Sequence, residues 1–193
     1  MVVELRCPDR AEPRSFCAGG ELDVLALAGE LQQQSRFRCL LLLMLGRVEA
    51  RNLEELPGWA MELLTDGPVA RLGFLDRDDR PRVLPVTFAL HGGALWSAVD
   101  RKPKRPGEPA RVRYLRRRPE AALTVDRYSD DWNELAWVQV LGRIDLRAVA
   151  QSAAALAALA AKYQPYLREP PQGPLLRLVP DRILCWRATD TAL

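Results

Sequence analysis

The most regular feature of the chain is a series of short apolar and alternating segments that starts near residue 69. Residues 69–75 form an apolar run, and residues 76–81 form a polar turn after it. Residues 82–90 then alternate, and one side of that segment carries four large apolar residues: Leu84, Val86, Phe88 and Leu90. Short strands joined by short turns predict an antiparallel meander.

Four further segments continue this pattern along the chain. The turn His91-Gly92-Gly93 leads into the first of them, as expected for a β-hairpin. The segments are residues 94–99, 121–128, 135–146 and 175–188. Together with the first two segments they predict six strands. Pro85 interrupts the second strand, which indicates a sheet edge, a bulge or an end of pairing.

Helical patterns surround these strands. Asn52 followed by Glu55 resembles a capping box, whereas Pro57 is favoured at a first helical position, so the first helix begins at one or the other. Residues 110–118 predict a helix that ends before a proline, and residues 148–163 predict an alanine-rich helix. Helices that interrupt the sheet and plug its ends fit a barrel better than a sandwich. The predicted fold is mainly β (α+β): a six-stranded antiparallel split β-barrel with flanking helices.

The first 51 residues do not share this pattern. They are rich in helix breakers, and their apolar run at residues 40–45 is far shorter than the ~20 residues that span a bilayer. We therefore divide the chain into an N-terminal extension, 1–51, and a barrel domain, 52–193. The extension is either a helical segment that packs on a partner, or poorly ordered, or the product of a start upstream of the true one. No signal peptide is visible, so we expect a cytoplasmic protein without a membrane partner.

Charge is concentrated in one segment of the chain. The 193 residues carry a net charge of +3. Residues 101–118 contain nine basic residues and one acidic residue, a net +8, which leaves −5 for the remainder. Such a patch creates a local field that attracts anions.

Metal and nucleophile chemistry find no support in the sequence. The four cysteines match no zinc-binding spacing, and His91 is the only histidine, so no metal site is expected. The chain has no nucleophile motif, no Walker loop, no GxGxxG and no HExxH. An enzyme with this sequence needs a bound cofactor for its chemistry.

The loop at residues 101–107 is the first candidate for binding such a cofactor. A phosphate needs two or three converging positive donors, and Lys102 and Lys104 flank the stiffening Pro103. The alternative for any charge run is a solvated face, which we prefer for the arginines of the following helix except Arg111 near its start. Nucleic acid is not an expected partner, because Tyr114 is the only aromatic residue among these charges.

Two tryptophans and a threonine are the other candidates. Trp132 and Trp137 can stack on a ring system, or they can fill the barrel core. Thr87 lies opposite the apolar side of its strand, where its hydroxyl can bind the edge of a cofactor ring.

These residues lie in stretches that resemble a known family. GPVARLGFLDRDDRPRVLPVTFAL, LWSAVDRKPKR and VDRYSDDWNELAWVQVLGR resemble the pyridoxamine 5'-phosphate oxidase-like split-barrel superfamily, and within it the coenzyme F420-dependent oxidoreductases. The resemblance implies an FMN-binding split-barrel type of fold and a homodimer with the cofactor in a groove at the subunit interface. One departure is Asp79, which replaces a common glycine in the hairpin turn. Another is the less regular stretch PGEPARVRYLRRR.

The resemblance also implies which residues bind the cofactor. The strand Pro85-Val86-Thr87 lines the ring, and Lys102 and Lys104 contact the phosphate. The full set of expected cofactor-binding residues is Pro85, Val86, Thr87, Ser97, Lys102, Lys104, Arg105, Trp132 and Trp137. No catalytic residue is assigned.

The expected function is hydride transfer between F420 and a small organic substrate. The positive charge of Lys102, Lys104 and Arg105 suits F420, whose tail carries a phosphate and glutamates. One alternative is an FMN-dependent oxidase or reductase of the same fold. Another is a non-catalytic protein that binds a flavin, F420 or haem.

Overall fold

The computed structural model describes residues 47–99 and 108–188. This part of the chain holds eight strands: β1 (Arg47–Ala50), β2 (Ala70–Leu75), β3 (Pro81–Val86), β4 (Ala89–His91), β5 (Ala94–Ala98), β6 (Glu120–Arg127), β7 (Ala136–Arg147) and β8 (Leu175–Arg187). It also holds four α-helices: α1 (Gly58–Asp66), α2 (Ala110–Arg117), α3 (Ala153–Lys162) and α4 (Pro165–Arg168). One-turn 3-10 helices occur at Leu53–Glu55, Trp132–Glu134 and Val149–Gln151.

All strands belong to one antiparallel sheet in the order β3-β2-β6-β7-β8-β5-β4. The long strand β8 pairs with β7 along its whole length. On its other edge it pairs first with β5 and then with β1. The two long strands bend together at a register shift, where a side chain at Gly142 would collide with the Val179 carbonyl. The mainly antiparallel split-barrel fold with flanking helices is confirmed, and the sheet is open between β3 and β4.

The expected count of six strands is wrong, for two reasons. The predicted strand 82–90 is divided into β3 and β4, because the backbone N–H and C=O of Phe88 bind the Tyr163 hydroxyl, each at 3.0 Å, instead of a neighbouring strand. In addition, β1 pairs with residues 183–186 of β8. The sheet therefore includes four residues ahead of the expected domain start at residue 52. The remainder of the predicted extension lies outside the described residues.

Two start signals for the first helix are both used. The Asn52 side chain accepts hydrogen bonds from the N–H groups of Glu54 and Glu55, at 3.0 and 3.2 Å, and so caps the first 3-10 helix. The Glu55 carboxylate in turn accepts from the Arg51 N–H at 2.8 Å. α1 then begins directly after Pro57. Each signal starts its own helix, because the chain changes direction between them.

Because side chains alternate between the two faces of each strand, the sheet has a separate hydrophobic core on each face. The inner face of the sheet packs against α1 and α2, and its fully buried residues include Leu72, Val138 and Ile183. The other face of β4 and β5 is covered by α3 and α4, where Trp96 packs near Leu159 and Tyr166. The outer face of the remaining strands has no helix of the described chain over it.

The backbone conformation at residue 79 bears on one departure from the family pattern, the aspartate that replaces a common glycine. Its φ is 61°, in the left-handed region that favours glycine. The Asp76 carboxylate accepts hydrogen bonds from the N–H groups of Asp78 and Arg80, at 2.9 and 3.1 Å, which closes the turn around Asp79. The Asp79 side chain forms an ion pair with Arg118. Aspartate tolerates this conformation better than most residues.

We expect Asp79→Ala to lower the free energy of unfolding by about 1 kcal/mol, because alanine tolerates the left-handed conformation poorly. Asp79→Asn, which keeps the local tolerance and loses only an exposed ion pair, should cost less than about 0.5 kcal/mol. Urea denaturation of both variants measures the difference. Equal losses in the two variants would contradict the conformational explanation.

Candidate functional site

The expected ring-binding segment lies where β3 ends at the edge of the sheet. β3 pairs only with β2, which agrees with the edge position that Pro85 indicates. Pro85 is exposed, Thr87 is half-buried, and Val86 is buried in the inner core. The Val86 side chain is therefore closed to a ligand, whereas Pro85 and Thr87 present side chains.

Two tyrosines hold the corner between β3 and β4. The Tyr166 hydroxyl lies 2.7 Å from the Thr87 hydroxyl. Besides its bonds to Phe88, the Tyr163 hydroxyl lies 2.9 Å from the Pro68 carbonyl. The two tyrosine rings meet edge to face, with centroids 5.8 Å apart. The Thr87 hydroxyl is thus held by a side chain from α4, and the backbone of Phe88 by a side chain at the end of α3.

Lys162 packs against the same corner. Its Nζ lies 3.9 Å from the ring centroid of the buried Phe88 and donates to the Leu64 carbonyl at 3.3 Å. Burial lowers the pKa of Lys162 to about 8, and the Asp66 carboxylate opposes that shift. Burial also raises the pKa of the neighbouring Tyr163.

Within the part of the chain that the structure describes, two polar atoms near the predicted phosphate loop are buried without hydrogen-bond partners. One is the Oγ of Ser97, a residue that is only 5% exposed. The Nε of Arg111 is also buried and unpaired, while its guanidinium donates to the Ala98 carbonyl at 3.4 Å. Unsatisfied buried donors are costly, so they indicate a missing partner.

Ser97 lies just before the predicted phosphate loop and Arg111 just after it. Both can donate hydrogen bonds, and one of them is charged, which fits the phosphate of a flavin-type cofactor. Lys102, Lys104 and Arg105 lie outside the described residues, and their role stays a prediction.

The two expected tryptophans lie at the other end of the sheet. Trp132 is 74% exposed beside β7. Trp137 is half-buried, and the Arg47 guanidinium lies 5.5 Å from its ring centroid. Trp137 is paired with Trp186 on β8, whereas Ser97 is paired with Leu176, ten residues earlier. That separation is about 30 Å of extended strand, so a single chain does not bring the tryptophans to Ser97.

A cavity of about 330 Å³ lies next to Trp132. Its lining residues are Arg127, Asn133, Glu134, Leu135 and Arg187. Arg127 and Arg187 both pair with Ala136 in the sheet register, so they emerge on the same face on either side of this small residue. The Glu134 carboxylate accepts a hydrogen bond from the Ser129 hydroxyl at 2.8 Å. Two guanidinium groups and one carboxylate therefore line the cavity.

The uncovered outer face of the sheet joins several of these residues. Pro85, Arg71, Thr124, Gln139 and Leu184 are register neighbours across five strands and share that face. The next row contains Val83, which is 64% exposed, together with Gly73, Ala122 and Leu141. The second row continues to Arg182, which forms an ion pair with Glu49. This face therefore combines a short apolar row with polar residues such as Arg71, Thr124 and Gln139.

Sequence reasoning missed Tyr163 and Tyr166. Their signal was present, since KYQPY places two tyrosines three residues apart at the end of an alanine-rich helix. Nothing in the sequence showed that they meet a corner about 75 residues earlier in the chain.

An open antiparallel sheet with flanking helices defines a protein of the split-barrel type. A family model described as pyridoxamine 5'-phosphate oxidase matches residues 59–184. The chain belongs to this family, which confirms the resemblance inferred from the sequence. No curated protein matches the chain.

Solved structures share the fold at low sequence identity. A conserved hypothetical protein from Mycobacterium tuberculosis has a TM-score of 0.58 at 15% identity, covering 75% of this chain and 91% of that one. A heme-binding protein from Mycobacterium smegmatis has a TM-score of 0.53 at 20% identity, over 70% and 60% of the two chains. A FAD-binding protein from Mesorhizobium loti has a TM-score of 0.53 at 16% identity, over 72% and 96%.

Within residues 47–99 and 108–188, no helix is long and apolar enough to cross a membrane.

The lowered pKa of Lys162 predicts a pH dependence of stability. Between its folded pKa of about 8 and its ordinary value of 10.5, the unfolded chain binds more protons than the folded chain. The contribution of this residue to the free energy of unfolding therefore rises with pH in that range. We therefore expect the free energy of unfolding of the wild type, relative to that of Lys162→Met, to increase from about pH 7 to about pH 9.5.

Urea denaturation at the two pH values measures that difference. The raised pKa of Tyr163 acts above its ordinary value of 10.0, outside this window. A constant difference between the wild type and Lys162→Met would show that the amine is solvated in the folded chain.

Proposed function

We propose that this protein is an oxidoreductase that transfers a hydride between coenzyme F420 and a small organic substrate. The observation that carries the proposal is the pair of buried, unpartnered polar atoms, Ser97 Oγ and Arg111 Nε, on either side of the basic loop. In the proposed complex, Lys102, Lys104 and Arg105 neutralise the phosphate, and Ser97 and Arg111 donate hydrogen bonds to it. When bound, the deazaflavin ring supplies the hydride chemistry.

The protein's own residues then bind and orient the cofactor. Pro85 and Thr87 flank the ring at the open edge of β3. The fully buried Phe88 beside Thr87 excludes water from the inner side of the corner. No side chain of the described chain is placed as an acid or base in the reaction.

The split-barrel neighbours include proteins named for FAD and for heme. Those names agree with a fold that holds planar redox cofactors. Haem is the less favoured ligand here, because His91 is the only imidazole and lies in an exposed hairpin turn. FMN remains the alternative cofactor, since its single phosphate fits the same donors.

The cavity beside Trp132 favours F420 over FMN. Two guanidinium groups, from Arg127 and Arg187, line it, and the glutamates of the F420 tail offer carboxylates that suit them. The cavity is far from Ser97 within one chain. We therefore infer that a partner subunit supplies it, together with Trp132 and Trp137, to each cofactor.

The outer face of the sheet supports a homodimer. Its apolar row, Val83, Gly73, Ala122 and Leu141, which ends at Arg182, has no covering helix among the described residues. An exposed apolar patch of this kind marks an interaction surface in a globular protein. A second copy packed on this face would lie next to Pro85.

Cofactor titration tests the proposal. We expect F420 to bind the wild type more tightly than FMN. Ser97→Ala and Arg111→Gln should each weaken binding by about 10- to 100-fold, the effect of losing one hydrogen bond to a charged group. Lys102→Ala combined with Lys104→Ala should weaken it further. Fluorescence or calorimetric titration measures these affinities.

Arg113→Gln is the matched control, because Arg113 lies in the same helix and donates to the Glu108 carbonyl on the surface. Its affinity should equal that of the wild type. If Arg113→Gln weakens binding as much as Arg111→Gln, the effect is general charge attraction and the phosphate site is wrongly placed. If neither cofactor binds the wild type, the proposed function fails.

A charge on the outer face should separate the subunits. We expect Val83→Glu to convert the dimer to a monomer and to reduce cofactor affinity at the same time, because a buried unpaired carboxylate is strongly unfavourable at an interface. Analytical ultracentrifugation monitored by F420 absorbance measures both the mass of the protein and the amount of cofactor bound to it. Leu167→Glu, at an exposed leucine of α4, serves as the control. Unchanged mass for Val83→Glu would show that copies do not meet on this face.

A further inference from the structure

The hydrogen bond between Tyr166 and Thr87 has a direction that the surroundings determine. Tyr166 is only 7% exposed, and Thr87 is the only hydrogen-bond partner of its hydroxyl among the described residues. A buried O–H that does not donate carries a desolvation penalty of about 1–3 kcal/mol. Thr87 is the more exposed partner and can donate elsewhere, so we assign the phenol as the donor and the Thr87 oxygen as the acceptor.

This assignment leaves Thr87 with one hydrogen to donate. A threonine hydroxyl has one donor hydrogen and two acceptor lone pairs. Thr87 makes no second hydrogen bond within the part of the chain that the structure describes.

Thr87 is also the more accessible member of the pair. It is half-buried, and it follows the exposed Pro85 at the open edge of β3. Its remaining hydrogen is therefore available to a ligand at that edge. A chain of two hydroxyls is a stronger donor than a single one, because each bond polarises the next.

We propose that Tyr166 is a positioning residue that fixes the Thr87 hydroxyl as a hydrogen-bond donor to an acceptor atom on the edge of the cofactor ring. The inference rests on the proposed function. A donor at this place stabilises the electron-rich reduced ring more than the oxidised ring. Tyr166 thereby raises the affinity for reduced cofactor relative to oxidised cofactor, although it does not touch the ring.

The test compares the affinities of the full chain for oxidised and reduced F420, with FMN measured in parallel. We expect Tyr166→Phe and Thr87→Val each to lower the ratio of reduced to oxidised affinity by about 5-fold, the effect of one hydrogen bond. Combined, they should lower it no further than Thr87→Val alone, because Tyr166 acts only through Thr87. Thr87→Ser, which keeps the hydroxyl, should retain the wild-type ratio.

Tyr163→Phe is the matched control. It removes the neighbouring hydroxyl, which bonds only to the backbone of Phe88 and Pro68. We expect it to lower the melting temperature and leave the affinity ratio unchanged. An equal change of the ratio in Tyr163→Phe would mean that loosening of the corner, and not a directed donor, is responsible.

The remaining outcomes separate this inference from the proposed function. A wild-type ratio in Tyr166→Phe, or additive effects of Tyr166→Phe and Thr87→Val, would overturn the role of Tyr166 while cofactor binding stands. Failure of the wild type to bind either cofactor would overturn the proposed function and this inference together.

Discussion

The Tyr163 hydroxyl makes the hydrogen bonds on which the shape of the barrel depends. It bonds to the N–H and C=O of Phe88 and lies within hydrogen-bond distance of the Pro68 carbonyl. Because these groups are occupied, the strand cannot continue past Val86, and the sheet stays open between β3 and β4. The same corner exposes Pro85 and presents Thr87, so one side chain both splits the barrel and creates the edge at which a planar ligand can lie.

Local patterns in the sequence predicted most of the fold. The alternation at residues 82–90, the Gly92-Gly93 turn and the edge position of Pro85 depend on neighbouring residues, and each is found in the structure. The division of 82–90 depends on a tyrosine 75 residues away. Likewise, β1 becomes a strand only because the end of β8 offers a free edge. Contacts of this kind leave no local periodicity to detect.

The candidate site was predictable to a smaller extent. The charge run and the family motifs indicated the phosphate loop, and Ser97 and Arg111 now border it with unpaired buried atoms. That a serine on a fully buried strand lacks a partner follows from packing, which no sequence pattern encodes. The separation of Trp137 from Ser97 along β8 likewise follows from register. This separation divides the expected cofactor-binding residues into two groups that lie far apart within one chain.

The most direct test of this account is a crystal structure of the protein with F420 bound. The account predicts that the cofactor phosphate lies within hydrogen-bond distance of Ser97 Oγ and the Arg111 guanidinium. It would be contradicted by a phosphate bound elsewhere, with Ser97 Oγ and Arg111 Nε still lacking a hydrogen-bond partner.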